Sequence, residues 1–311
     1  MLFCPLAGGF DYNILMTPAA VLLACLSILL WSFLAFLSAQ LRILPPFLIV
    51  GIAFCISGLV GLAQVRTWRV PWKTFLVGVG GLFGYHALYF SAFRHAPAVE
   101  ANLINYLWPL LIVVLSPIFL KGYPLRLHHL AGASLGLLGA GLIVTGGRFS
   151  LDLSHLSGYL FAGGAAVTWA VYSLLTKRLP PFSSGAVGGF CLTTGVLSLG
   201  LYALTGQRVP LQQLIQDGNW LMLLLIGIGP MGLAFFAWDA ALKRGDPRVI
   251  GALSYLTPLT STLILVALGG NRLSGTSALA MLLIVTGAVL GSWDLLRRKI
   301  PVEEGETVDV H

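Results

Sequence analysis

Residues 99–120 read VEANLINYLWPLLIVVLSPIFL. Glu100 stands at the start of this run, and no charged residue follows it up to Leu120. A helix of about 20 apolar residues spans a hydrocarbon core roughly 30 Å thick. The run is continuously apolar rather than alternating, which argues against a strand of a membrane barrel. Its interior nevertheless holds Asn102, Asn105, Tyr106, Trp108 and Pro109. Polar groups in a membrane helix are costly, so those present are expected to face a cavity or a partner. The stretch therefore reads as a transmembrane helix with something to line.

Runs of the same kind lie on both sides of it, near 16–38, 45–65, 72–94, 128–147, 157–177, 183–204, 219–243, 248–268 and 275–296. The chain has 311 residues, 57% of them hydrophobic and 9% charged, with mean hydropathy +0.90. A water-facing shell normally needs about 25% charged residues. The expected fold class is thus an all-α membrane protein of ten transmembrane helices. The first run is too long, and lacks the basic flank, to read as a cleaved signal peptide.

The net charge of +7 is distributed unevenly. Ten spans sort the loops into two sets. One holds Arg66, Arg69, Lys73, Lys121, Arg126, Lys177, Arg178, Lys243, Arg244, Arg248, Arg297, Arg298 and Lys299. The other holds Arg42, Arg94, Arg148, Arg208 and Arg272. Basic loops stay in the cytoplasm, so both termini are expected there, in a multi-pass protein of a bacterial inner membrane. The basic charge is topological and implies no nucleic-acid partner; lipid and a small solute are the expected partners, and the sequence leaves the oligomeric state open. Cys4, Cys25, Cys55 and Cys191 show no paired spacing, so neither a disulfide framework nor a metal site is expected.

The chain is also written twice. LLWSFLAFLSAQL, ending at Leu41, resembles AVTWAVYSLLTKRL, ending at Leu179, which sets Trp31 on Trp169. NLINYLWPLL at 102–111 resembles GALSYLTPLT at 251–260, which sets Tyr106 on Tyr255 and Pro109 on Pro258. LLGAGL at 137–142 is close to VTGAVL at 285–290 in the same order. Residues 16–148 and 157–299 then form two five-helix repeats, followed by an acidic cytoplasmic tail over 300–311. Five is odd, so consecutive units lie in opposite orientations across the bilayer. Inverted repeats of this kind build alternating access, with the solute site near the midplane between the halves.

Ten helices, two five-helix halves, cytoplasmic termini and prolines in the fourth and ninth helices resemble the EamA-type branch of the drug/metabolite transporter superfamily. Within it, NLINYLWPLLIV is similar to the YddG-type exporters of aromatic amino acids. The resemblance covers the chain outside the first 15 and last 12 residues. It implies export from the cytoplasm, a direction that composition does not show.

The residues expected to carry transport are few. Tyr85 and Tyr89 are four apart in the third helix and share a face, with His86 one position round. His86 is the only obvious proton acceptor deep in a span. Asn102, Asn105, Tyr106 and Trp108 join them from the fourth helix, and Tyr255 from the ninth. Trp31 and Trp169 sit in mid-run, where an interface belt explains them poorly and an aromatic wall explains them better. Proline lacks an N–H and clashes with the carbonyl four residues earlier, so Pro109 frees the carbonyl of Asn105 and Pro258 that of Ser254. Matched kinks in the two halves make these prolines candidate hinges. Helices 1, 3, 4, 6, 8 and 9 are the expected cavity walls. GVGGLFG at 78–84 and GIGPMG at 227–232 mark places where helices approach closely.

Absences narrow the solute. No helix interior holds an unpaired lysine or arginine, which a carrier of sugar phosphates would place against the phosphates. The first helix has no glutamate for cationic drugs. Asp239 precedes Lys243 by four residues, an expected ion pair, and Glu100 suits a helix N-terminus. Aromatic, amide, hydroxyl and imidazole groups remain, a lining for neutral or zwitterionic metabolites, amino acids and aromatic ones above all. Another uncharged metabolite, or a channel for one, stays open as the alternative. No HExxH, intramembrane acid pair or serine–histidine couple points to an enzyme, and no cofactor is implied.

Overall fold

The computed structural model describes residues 16–41, 44–148, 151–215, 218–269 and 275–296. The tail expected at 300–311 lies outside them. The described chain is helical throughout, without a strand. Its elements are α1 (Pro18–Gln40), α2 (Pro46–Gly61), α3 (Trp72–His95), α4 (Ala98–Asn105), α5 (Leu107–Phe119), α6 (Leu127–Thr145), α7 (Leu156–Arg178), α8 (Val187–Leu204), α9 (Leu211–Ile215), α10 (Asn219–Ile228), α11 (Ala234–Arg244), α12 (Pro247–Ser254), α13 (Leu256–Gly269), α14 (Gly275–Gly291) and α15 (Trp293–Leu296). Nine stretches among the described residues are long and apolar enough to cross a membrane, and α14 is a shorter apolar helix.

Three of those nine crossings are interrupted. The fourth breaks at Tyr106, between α4 and α5, and the ninth breaks at Tyr255, between α12 and α13. Each break falls three residues before a proline, Pro109 or Pro258. The eighth passes through a π-helical turn at Gly229–Leu233, between α10 and α11. Gly232 is required there, because a Cβ at that position would lie 2.3 Å from the carbonyl oxygen of Gly227.

Capping follows local chemistry. Thr17 accepts from the N–H of Ala20 ahead of Pro18, and Asp246 accepts from the N–H of Arg248 ahead of Pro247. Gly146 ends α6 at φ 62°, a left-handed conformation that glycine adopts without a Cβ penalty.

Packing pairs α6 with α14, α2 with α8, and α3 with α7, while α1 lies against α11 and α13. Small residues set these distances. A Cβ on Gly132 would stand 2.4 Å from the backbone nitrogen of Gly291, so α6 and α14 touch backbone to backbone. In the third helix the glycine cluster works unevenly. Gly78 and Gly81 make room for the rings of Phe190 and Tyr172, whereas Gly80 faces open space.

Large apolar side chains such as Leu22, Leu160 and Leu282 are exposed on the outside of the bundle, as a surface in contact with lipid would require. Buried polar side chains satisfy themselves across helices where they can. Ser27 donates to the Ala234 carbonyl at 3.0 Å, and Ser32 to the Thr257 carbonyl at 3.2 Å. Both bonds tie α1 to distant parts of the chain, one just after the π-helical turn and the other two residues after the break at Tyr255.

Candidate solute site

Between α1, α3, α4, α10–α11 and α13 lies a cavity of about 370 Å³. This is within the usual range of roughly 300–1,000 Å³ for small-molecule sites. The face of α3 that the sequence singles out forms one wall. Tyr85 and Tyr89 stack with ring centroids 5.6 Å apart and planes 10° apart. The Tyr89 hydroxyl donates to Oδ1 of Asn102 at 2.9 Å, and Nδ2 of Asn105 donates to the Tyr85 hydroxyl at 3.2 Å. Helix α4 is thereby laced to α3 by two amide–phenol pairs, one turn apart on each helix. Oδ1 of Asn105 is buried and has no hydrogen-bond partner.

His86 sits between these pairs and the core. Its Nδ1 is 2.7 Å from the Leu82 carbonyl. A carbonyl can only accept, so Nδ1 carries the proton and Nε2 keeps the lone pair. The ring packs edge-on against Phe54 and Tyr85, each with centroids at 4.9 Å.

At the inner end four tryptophans gather. Trp31 meets Trp169 at 5.8 Å, Trp108 at 6.3 Å and Trp238 at 5.1 Å between centroids, and Phe235 closes the group at 5.8 Å from Trp31. Trp31 of α1 and Trp169 of α7 thus meet ring to ring. Toward the other end the lining continues through Ser38, Phe93, Asn102 and Ser261. These residues lie near the ends of α1, α3 and α4 that lead to the loops poor in basic residues. Among the described residues, no Lys, Arg, Asp or Glu lines the cavity.

Of the residues singled out by sequence, Trp31, Tyr85, His86, Tyr89, Asn102, Asn105, Tyr106, Trp108 and Trp169 all line this one cavity. Tyr255 does not. It is fully buried, and its hydroxyl accepts from the N–H of Leu110 at 3.2 Å and donates to the Tyr106 carbonyl at 3.1 Å. It spans from one broken helix to the other and satisfies backbone groups at the α4–α5 break. Pro109 is buried beside it, outside the lining.

Sequence reasoning missed Phe235, Thr257 and the α2 residues Ile49 and Val50. An isoleucine–valine pair in a continuously apolar run carries no sign of which way it faces. Thr257 had a signal, since it falls on Trp108 when GALSYLTPLT at 251–260 is set on NLINYLWPLL at 102–111.

The opposite end is sealed by charge. Asp246 and Arg248 are both buried, with Nε of Arg248 3.0 Å from Oδ1 of Asp246, and the guanidinium also donates to the Pro124 carbonyl. Nζ of Lys177 donates to the carbonyls of Leu242 and Gly245 at 2.8 and 2.6 Å. The Tyr123 ring lies near both cations, its centroid 5.5 Å from Nζ of Lys177 and 5.4 Å from Cζ of Arg248. Burial pushes the Tyr123 phenol well above its ordinary value and neighbouring Asp246 adds to this, so it stays neutral. Lys243 pairs with Asp239 at 2.6 Å, as their spacing anticipates.

On the same side His128, His129 and Asp294 come within 4.8 Å of one another. Nδ1 of His129 accepts from the N–H of Arg126 at 3.4 Å, which leaves the ring proton on Nε2 facing Asp294. Arg126 itself contacts Asp294 at 2.9 Å. Arg126 and Asp294 form the ion pair of this group, and the Nδ1 lone pair of His129 is taken by the Arg126 N–H.

A largely aromatic cavity inside a bundle of long apolar helices suits a small organic solute. The model of the EamA-like transporter family matches residues 18–145 and again 156–293, and the chain belongs to that family. It is 42% identical over 291 residues to the aromatic amino acid exporter YddG of Ancylobacter novellus, covering 90% of this chain and 99% of that protein. The aromatic amino acid exporter YddG of Escherichia coli is 26% identical over 298 residues, and a probable amino-acid metabolite efflux pump of the same organism is 25% identical. A solved crystal structure 42% identical in sequence superposes with a TM-score of 0.83, covering 90% of this chain and 99% of that one.

Proposed function

We propose that this protein exports aromatic amino acids from the cytoplasm by alternating access. The observation that carries the reading is the cavity itself: a lining of rings, amides, hydroxyls and one imidazole, with no Lys, Arg, Asp or Glu among the described residues, and a volume that suits one small metabolite. Rings take up an aromatic side chain, and amide and hydroxyl dipoles serve the polar end. The names of the similar exporters point to the same solutes.

The finer architecture belongs to the same proposal. We read α14 as the tenth crossing and residues 16–148 and 157–299 as repeats in opposite orientation, in a bacterial inner membrane with both termini cytoplasmic. The thirteen-to-five split of basic residues supports that orientation. On this reading the described state is open outward and closed toward the cytoplasm by the Asp246–Arg248 layer. Pro109 and Pro258 are the hinges, because each follows a helix break at the same distance. Trp31, Trp108 and Trp169 form the inner wall, Tyr85, Tyr89, Asn102, Asn105 and Tyr106 hold the solute, and Tyr255 positions the α4–α5 break.

Uptake of labelled tryptophan, phenylalanine, threonine and a sugar phosphate into proteoliposomes, with and without a pH gradient, tests the assignment. Saturable uptake confined to the amino acids is the expected result. Failure of all four solutes would remove the substrate assignment and leave the fold as it stands.

A further inference from the structure

His86 stands in the cavity wall with one ring nitrogen engaged and the other free. Its Nδ1 is 2.7 Å from the Leu82 carbonyl, one turn earlier in α3. A carbonyl can only accept, so that bond holds the ring proton on Nδ1 and leaves a lone pair on Nε2. A neutral imidazole nitrogen of this kind accepts and cannot donate.

The lone pair opens to the cavity. Oδ1 of Asn105 and Oγ1 of Thr257 are sealed within the same wall without a partner, out of a ligand's reach. Nε2 of His86 has no partner in the protein either, but it is not sealed in this way, and His86 lines the cavity.

The surroundings of the imidazole decide what meets that lone pair. Phe54 and Tyr85 stand edge-on to it at 4.9 Å between centroids, with Phe235 at 6.2 Å and Phe90 at 6.4 Å. Tyr85 and Phe235 in turn lie 5.3 and 5.6 Å from Trp169. The imidazole is thus part of the aromatic walls, against which the ring of a ligand packs. The Asn102 amide, by contrast, meets Tyr89, one turn further along α3. An acceptor set among rings suits a donor that is itself carried on a ring. Indole has one in its N–H, whereas a phenyl or thiophene ring has none.

We propose that Nε2 of His86 accepts a hydrogen bond from the ring of the ligand, so that the cavity prefers aromatic solutes whose ring bears a donor, indole above all, over rings without one. The inference rests on the transport reading above and deepens it. A ring without a donor displaces the water that serves the lone pair and returns nothing to it. One neutral hydrogen bond of this sort changes affinity by about three- to tenfold.

Competition against labelled tryptophan uptake in proteoliposomes tests it, with unlabelled tryptophan and benzothienylalanine as the competitors. The second replaces the indole N–H by sulfur and keeps the fused bicyclic shape and the amino-acid end. It is the more apolar of the two, so burial alone favours it. Tryptophan is nevertheless expected to compete at least about threefold more strongly. In His86→Phe, which keeps a ring and removes the lone pair, the two should compete within about twofold of each other. Elution as a single species checks that the variant folds, and the comparison in the unmodified protein decides on its own where it does not.

Equal competition by the two ligands in the unmodified protein overturns the inference and leaves the transport assignment standing. So does a preference for tryptophan that survives in folded His86→Phe, since another group would then read the N–H. A variant that weakens both ligands by the same factor assigns His86 to the amino-acid end and overturns the inference too. Absence of tryptophan uptake in the unmodified protein defeats the transport assignment first, and the inference with it.

Discussion

At one end of the bundle, α1, α3, α4 and α13 enclose space walled by rings and amides; at the other, α7, α11, α12 and the loop before α6 close on Asp246, Arg248, Lys177 and Tyr123. Both ends hold polar groups away from water, and they do so differently. In the cavity the polar atoms are neutral, paired in part, and include an amide oxygen with no partner. At the other end charges meet charges and backbone carbonyls, and Oδ1 of Asp239 and Nε2 of His128 and His129 are buried there without a hydrogen-bond partner. The two ends therefore differ in charge rather than in how completely their polar atoms are paired. Tryptophans separate the two, with Trp238 hydrogen-bonded to Ser173 at 3.1 Å and therefore anchored to the sealed side.

The largest effect should come from the seal. Removing one partner of a buried ion pair leaves an uncompensated charge and costs about 3–5 kcal/mol. Asp246→Ala is expected to lower the thermal unfolding midpoint of the detergent-solubilised protein markedly and to open the basic-rich end to a thiol reagent at a cysteine introduced there. An unchanged midpoint together with unchanged labelling would show that the pair does not hold that end.

Next in size is the cavity floor. Trp108→Ala removes a ring that contacts Trp31, Trp169 and Trp238. Aromatic contacts beyond burial contribute about 0.5–1.5 kcal/mol each, so tryptophan transport should fall by about tenfold or more while membrane insertion persists. Normal transport would take Trp108 out of the path.

His86→Gln probes the same wall more finely. If the imidazole lone pair accepts a proton during the cycle, the dependence of transport on pH flattens in this variant; an unchanged rate and pH profile eliminates proton coupling through His86.

Tyr123 offers a smaller contrast. Two cations lie over its ring, so Tyr123→Phe should behave as the parent. Tyr123→Ala should lose roughly 0.5–2 kcal/mol of the seal. Equal behaviour of the two variants in the thiol-labelling assay would contradict the cation–ring arrangement.

The smallest effect belongs to Asp294. Burial opposes its charge, but Arg126, His128 and His129 hold its carboxyl below the usual value. A depressed carboxyl contributes stability above its unfolded pKa, and that contribution is lost as pH falls through the folded value. The pair with Arg126 is half-exposed, so Asp294→Asn should cost no more than about 1 kcal/mol near neutrality, and the difference from the parent should vanish in acid. A cost that grew on acidification would have the wrong sign for this cluster.

Much of this molecule was legible before any coordinates. Solvent decided it: a chain with so few charges must satisfy its backbone internally, and continuous apolar runs leave helices as the way to do so. The i, i+4 relation put Tyr85 and Tyr89 on one face, and proline chemistry marked the neighbourhoods of both broken helices. The cavity residues declared themselves because a polar or tryptophan side chain in mid-membrane needs a reason to be there.

Apolar residues carried no such mark. Ile49 and Val50 line the cavity and Leu22 faces outward, yet all three are aliphatic residues in uninterrupted runs, and only the packing of neighbouring helices assigns their sides. Tyr255 shows the converse. Its match to Tyr106 suggested a second binding tyrosine, but the tertiary fold turned it into the α4–α5 break, where two backbone groups needed partners. Sequence by itself determined which segments leave water and which of them carry chemistry, because both follow from transfer free energies read residue by residue. Which groups meet across helices, and so which polar atom is left for a ligand, was decided by the tertiary structure alone, because hydrogen bonding is a pairwise property and the partners lie in distant parts of the chain.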